Sequence, residues 1–196
     1  MQKIEISDCI CQSRIKNHLK IKDKILSEID KCTDDFLDVD DSYYADSISK
    51  LDWDKSTDRE RPWVKIFFPE FCDDITEIIH SMCYNRMDMK SIWYQQYLEG
   101  DTHGWHIHGE QFTGVYYLEF PKGCSKTEIC SPFDLKRHQF DADEGDFIVF
   151  PAHFIHRGLP NNKIRKTIVS FNFNIVTNTE DGFHPLNLNL VNSEAI

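Results

Sequence analysis

Three histidines and a glutamate crowd the stretch GDTHGWHIHGEQ, Gly100 to Gln111, in which His106, His108 and Glu110 alternate with Ile107 and Gly109. On an extended strand, residues i and i+2 project to the same face. His106 and His108 therefore point the same way, and Glu110 joins them if the strand runs on. Two imidazoles on one face chelate a transition metal once a third donor arrives from elsewhere. The best source is EGDFIVFPAHFIHRGLP, where a glycine turn, an apolar strand and a proline lead to His153 and His156. A lone histidine in a β protein is usually a hydrogen-bonded structural residue. The HxH pair together with the downstream Gly–apolar strand–Pro–His segment is what points to a metal. Imidazole suits iron, zinc, copper and nickel alike, so ligand type does not choose the ion.

The elements that must position these residues fall into two textures. Residues 1–90 read as mostly helical with charged connections. HLKIKDKILSEIDKC carries Ile21, Ile25, Leu26 and Ile29 at helical spacing. DVDDSYYADSISKLDWDKSTDRERPW reads as a loop with a short helix, and PWVKIFF as a strand. DDITEIIHSMCYNRM places Ile75, Ile78, Ile79 and Met82 on one helical face, with Asp73 and Asp74 suited to the positive N-terminal end of that helix. After residue 90 come short β-rich runs: SIWYQQYL, FTGVYYLEF, KTEICSP, DFIVFP and RKTIVSFNFNI. Gly100, Gly114, Pro121, Gly123, Gly145, Pro151 and Pro160 punctuate them, which predicts a β-sandwich or barrel. The expected organisation is a single domain over 1–196: a mostly helical N-terminal part (1–90) with one or more strands, a β core (91–177) and a polar tail (178–196).

Composition narrows the function. The formal net charge of −11 argues against nucleic acid, which needs a basic surface. No apolar run approaches the roughly 20 residues of a membrane span, and MQKIEISDCI lacks a secretory h-region. Seven cysteines form no CxxC pair, so neither a disulfide framework nor a zinc knuckle is expected, and a reduced, cytoplasmic protein is.

On these residues, Trp93 to Ile175 resembles the double-stranded β-helix core of Fe(II)/2-oxoglutarate-dependent oxygenases, most of all the prolyl-hydroxylase-like branch and its bacterial and phage relatives. In that family a tyrosine and a glycine turn precede the first metal histidine, as in YLEGDTHGWH from Tyr97 to His106. A GVYYL-like strand follows (Gly114 to Leu118), then a GD–apolar–FP strand leading to a distal histidine, here His156, and then a basic residue, Arg165 or Lys166. The resemblance implies a mainly β, jelly-roll and cupin-like fold with the N-terminal helices packed on it. It implies iron held by His106, His108 and His156. The family's second ligand is usually a carboxylate, and the alternative register, His108-Gly109-Glu110, would supply one. The spacing from Tyr97 and Gly100, and a next strand beginning near Phe112, favour His106 as first ligand and put Glu110 in a turn. His103 and His153 are expected beside the site or on the surface.

The resemblance further implies 2-oxoglutarate as cosubstrate and O2 as oxidant, with succinate and CO2 formed as a substrate is hydroxylated. The distal carboxylate of 2-oxoglutarate needs a fixed cation, and the planar fork of Arg can pair with both oxygens. Alternation puts Arg165, Thr167, Val169 and Phe171 on one face of their strand and Lys166, Ile168, Ser170 and Asn172 on the other. Arg165 is the expected partner, with Thr167 beside it and Lys166 as the second choice. Tyr97 and Tyr117 are expected to line the cosubstrate pocket, with Gln95 as a weaker candidate. Trp53, Trp63 and Trp105 are either core or cleft. The implied partner is a small-molecule or peptide substrate, with no membrane.

Two rivals remain. GDTHGWHIH also fits the opening of a cupin motif, but the glutamate expected a few residues later is missing, since that range holds Phe112 and Thr113. Three neutral histidines can also hold zinc without turnover.

Overall fold

The structure, a computed structural model, describes residues 8, 10–32 and 47–176. The tail after residue 177, Cys9, and residues 38–46 of the expected loop lie outside the described residues.

Ten strands form two antiparallel sheets among the described residues. The larger sheet contains β1 (Cys11–Arg14), β2 (Lys50–Leu51), β3 (Met87–Leu98), β5 (Phe112–Glu119), β8 (Asp146–Pro151) and β10 (Arg165–Ile175), in the order β1-β8-β5-β10-β3-β2. The smaller contains β4 (His103–His106), β6 (Thr127–Cys130), β7 (Arg137–Gln139) and β9 (Ile155–Gly158), in the order β4-β9-β6-β7. This is a jelly roll: two facing sheets whose strands alternate between them along the chain.

Two helices cover the outer face of the larger sheet. The first, α1 (His18–Lys31), buries Ile21, Ile25, Leu26 and Ile29, the stripe its periodicity predicts. The second, α2 (Pro62–Ser81), overturns the expectation of a strand over PWVKIFF. The run is rich in aromatic and β-branched residues, yet Pro62 sits at the first helical position, where its missing N–H costs nothing. Trp63, Phe67, Phe71, Ile75 and Ile78 then recur at helical spacing and are buried. The helix therefore starts eleven residues earlier than DDITEII implies. Asp73 and Asp74 lie inside it rather than at its start. Asp74 is buried and accepts the N–H of Lys16 (3.0 Å), just ahead of α1. Neither helix is long and apolar enough to cross a membrane, which is said of the described residues.

The larger sheet has two occupied faces, so its strands carry two cores. Ile92, Tyr94, Tyr116, Phe147, Val149, Val169, Phe171 and Phe173 face the helices. Tyr97, Val115, Tyr117, Ile148, Phe150 and Ile168 face the smaller sheet. Gly114 is required at the helix-side face: a Cβ there would sit 2.3 Å from the Phe171 ring and 2.6 Å from the Ile148 carbonyl.

Candidate metal centre

His106 ends β4 and pairs across the ladder with His156 of β9, which brings their rings to 4.2 Å between centroids. His108 lies two residues past the end of β4. Its N–H donates to the Ala152 carbonyl (3.0 Å), just after β8, and this bond turns its ring back over the same spot. The ring is 5.1 Å from both His106 and His156. One nitrogen of each of the three lies within 4.8 Å of the others, a spacing one ion spans after small side-chain rotations.

The donor set fits a metal. A carbonyl can only accept, so the contacts from His106 Nδ1 to the Gly104 carbonyl (2.8 Å) and from His156 Nδ1 to the Phe154 carbonyl (2.9 Å) place the proton on Nδ1 in both rings. Each Nε2 then carries the lone pair that can ligate, with the ring orientation fixed from behind. His103 stacks on His106 at 3.8 Å and lines the same chamber. Burial, reinforced by the neighbouring imidazoles, lowers the pKa of His108 to about 3 and of His103 to about 2, and pushes His156 well below its ordinary value. These rings are neutral at pH 7, the state a metal requires.

The same shifts set an acid limit for the metal-free protein. Below the ordinary histidine value of 6.5, the unfolded chain binds protons that the folded one refuses, so stability present above pH 6.5 is lost as pH falls. Each histidine contributes up to about 1.4 kcal/mol per pH unit. Urea unfolding of metal-free protein should show a steadily falling midpoint from pH 7 to 4.5. A flat profile over that range would contradict the buried, neutral state.

Glu110 sits in the bend before β5 and faces a different groove, with Gln111 and His153. His153 is exposed. Trp93, Gln95 and Tyr97 do share the chamber face of β3, and Tyr97 donates its hydroxyl to Gln95 Oε1 (2.7 Å). Trp63 is helix-side core, Trp53 lies edge-on to Trp93 at 4.4 Å, and Trp105 lies between Arg157 (4.4 Å) and Arg137 (5.6 Å). Tyr117 is buried in the inner core, its hydroxyl without a partner in hydrogen-bonding geometry.

Arg165 and Lys166 lie on opposite faces of β10. Arg165 does not face the chamber. Its Nε (3.1 Å) and Nη2 (2.9 Å) donate to Glu119, and its Nη1 (3.3 Å) donates to Asp30 of α1. Thr167 is on that side too and donates to Glu119 Oε2 (2.8 Å). The strand alternates as expected, but the even-numbered residues are the inward ones. Lys166, opposite Tyr97 in the register, is 2% exposed. Its ammonium lies 4.4 Å over the Tyr97 ring and donates to the Ser125 carbonyl (3.1 Å). Among the described residues no carboxylate pairs with it, and burial lowers its pKa to about 8. It is a buried cation lacking an anion.

No family model and no curated protein sequence matches the chain. Solved structures do. A viral collagen prolyl hydroxylase from Paramecium bursaria Chlorella virus 1, in its 2OG complex, aligns with a TM-score of 0.58 at 15% identity, covering 84% of this chain and 94% of that one. A Pseudomonas putida prolyl-4-hydroxylase aligns at 0.59 and 12% identity, covering 85% and 92%. A Trichoplax adhaerens prolyl hydroxylase, in complex with a hypoxia-inducible-factor oxygen degradation domain peptide, aligns at 0.57 and 13% identity, covering 85% and 84%. The fold is therefore the double-stranded β-helix of these prolyl hydroxylases.

Proposed function

We propose, from a chain with the fold of the prolyl hydroxylases, that it is a mononuclear Fe(II) oxygenase that uses 2-oxoglutarate and O2 to hydroxylate a small-molecule or peptide substrate. The observation that carries this is the convergence of His106, His108 and His156 beside β10, a strand that also buries Lys166 on its inward face with no carboxylate partner among the described residues. A closed zinc site has no use for that cation, whereas a dicarboxylate cosubstrate does.

Iron bound there with 2-oxoglutarate and O2 supplies the oxidation of a substrate C–H bond, with release of succinate and CO2. The chain's own residues do the rest. His106, His108 and His156 would hold the ion. Lys166 fixes the far carboxylate of the cosubstrate, with the Tyr97 ring beneath its ammonium and the Tyr117 hydroxyl as a further donor. The walls formed by Trp93, Val115 and Ile168 keep bulk water from the reacting atoms.

The test is succinate formation from 2-oxoglutarate with Fe(II), ascorbate and O2, alongside metal analysis of anaerobically purified protein. Slow uncoupled turnover is expected without any prime substrate. Tightly held zinc, with neither 2-oxoglutarate binding nor turnover, would leave the non-catalytic reading standing instead.

A further inference from the structure

We infer that Asn172 orients His108 and selects its tautomer, giving the third ligand the support that backbone carbonyls give the other two. The inference rests on the metal-site reading above. His106 and His156 each donate Nδ1–H to a carbonyl two residues back. His108, beyond its strand, meets a side chain at that atom instead: Asn172 Nδ2 lies 3.4 Å from His108 Nδ1. Asn172 belongs to β10, opposite Thr113 of β5 and Ser91 of β3, and is 0% exposed. Its Oδ1 is buried without a partner. A buried amide oxygen left without a partner is costly, and this one belongs to the amide that faces His108.

The amide has two settings. With Nδ2 toward His108, Nδ1 accepts, the ring proton sits on Nε2, and the ligating nitrogen is blocked. A half-turn of the amide presents Oδ1, which accepts Nδ1–H and leaves the Nε2 lone pair free. Asn172 is thus a positioning residue whose orientation is coupled to metal occupancy: the ion favours one setting and the empty site tolerates the other.

The experiment uses the full chain. Mn(II) binding is followed by electron paramagnetic resonance in wild type, Asn172→Ala and Asn172→Asp, and the His108 tautomer in metal-free protein is read from ring ¹⁵N shifts. Loss of an orienting partner typically costs about 10- to 100-fold in affinity, so Asn172→Ala should weaken Mn(II) by that factor. Asn172→Asp, an obligate acceptor, should bind as tightly as wild type or tighter and shift His108 to the Nδ1–H form. A packing role predicts that both variants lose equally, and that result overturns the inference, as does unchanged affinity in Asn172→Ala. If wild type binds no metal, the metal-site reading fails. The tautomer comparison then decides alone, and identical His108 shifts in wild type and Asn172→Asp would refute the assignment.

Discussion

His156→Ala is expected to lose iron and, with it, 2-oxoglutarate turnover. The magnitude follows from the ligand count. Four-ligand zinc sites are worth roughly 10–16 kcal/mol, or about 3 kcal/mol per ligand if shared evenly, and 3 kcal/mol is about a hundredfold in affinity. The loss should be clean, because His156 is buried opposite His106 and no described carboxylate lies close enough to replace it. His108→Ala should behave similarly, whereas Glu110→Ala should bind metal within about twofold of wild type, since Glu110 faces another groove. Calorimetric titration with Mn(II) under argon reads all three. Loss of affinity in Glu110→Ala would restore the register in which His108 and Glu110 bind the ion with His156. Circular dichroism of each variant separates ligand loss from unfolding.

The second large effect concerns the cosubstrate. Lys166→Ala should raise the Kd for 2-oxoglutarate by at least about thirtyfold, because removing one partner of a buried ion pair costs about 2–5 kcal/mol. Metal affinity should be unaltered. Arg165→Ala should leave the Kd for 2-oxoglutarate within about twofold, because its guanidinium is already engaged by Glu119 and Asp30. The two alanine variants thus exchange the roles that the chain order of two adjacent cations invites. A pH series adds a check. With the Lys166 pKa at about 8 in the free protein, affinity should fall by up to tenfold per unit above that value and stay level below it. The opposite ranking of the two variants, by fluorescence quenching or calorimetry, would return the role to Arg165.

Much of this was legible before any coordinates. The strand runs after residue 90, the stripe of α1 and the HxH pair with its distal histidine are all local patterns, and local patterns survive folding. PWVKIFF was not legible as a helix from its own residues: aromatic and β-branched side chains match a strand and a buried helix equally, and only the longer spacing through Phe71 and Ile75 separates them. Which of Arg165 and Lys166 turns inward was not legible, for a different reason. Nearly every residue of β10 is buried, because one face meets the helices and the other meets the smaller sheet. Alternation between core and solvent therefore carries no signal. A subtler alternation does. From Val169 the strand alternates apolar Val169, Phe171 and Phe173 with polar Ser170 and Asn172, and period two puts Lys166 on the Ser170 side. A polar set within a doubly buried strand marks the face that lines a site. Read that way, the sequence holds both the inward lysine and the amide beside His108.

The two sheets are unequally fastened. Helices and long strands secure the larger one, with β3 spanning 12 residues and β10 spanning 11. The smaller consists of strands of four, four, four and three residues with no helix against it among the described elements. His106 and His156 lie 50 positions apart in the chain yet face each other across its β4–β9 ladder. An ion gripped by both is a removable staple through the weaker half of the sandwich. It adds RT ln(1 + [M]/Kd) to the stability of that half while the rest of the fold stands on its own. Amide protons of β4, β6 and β9 should exchange quickly without metal and slowly with it, while those of β3 and β10 hardly change. Metal loading would then double as a check on assembly, since a chain without its ion carries a loosened flank that proteases can read.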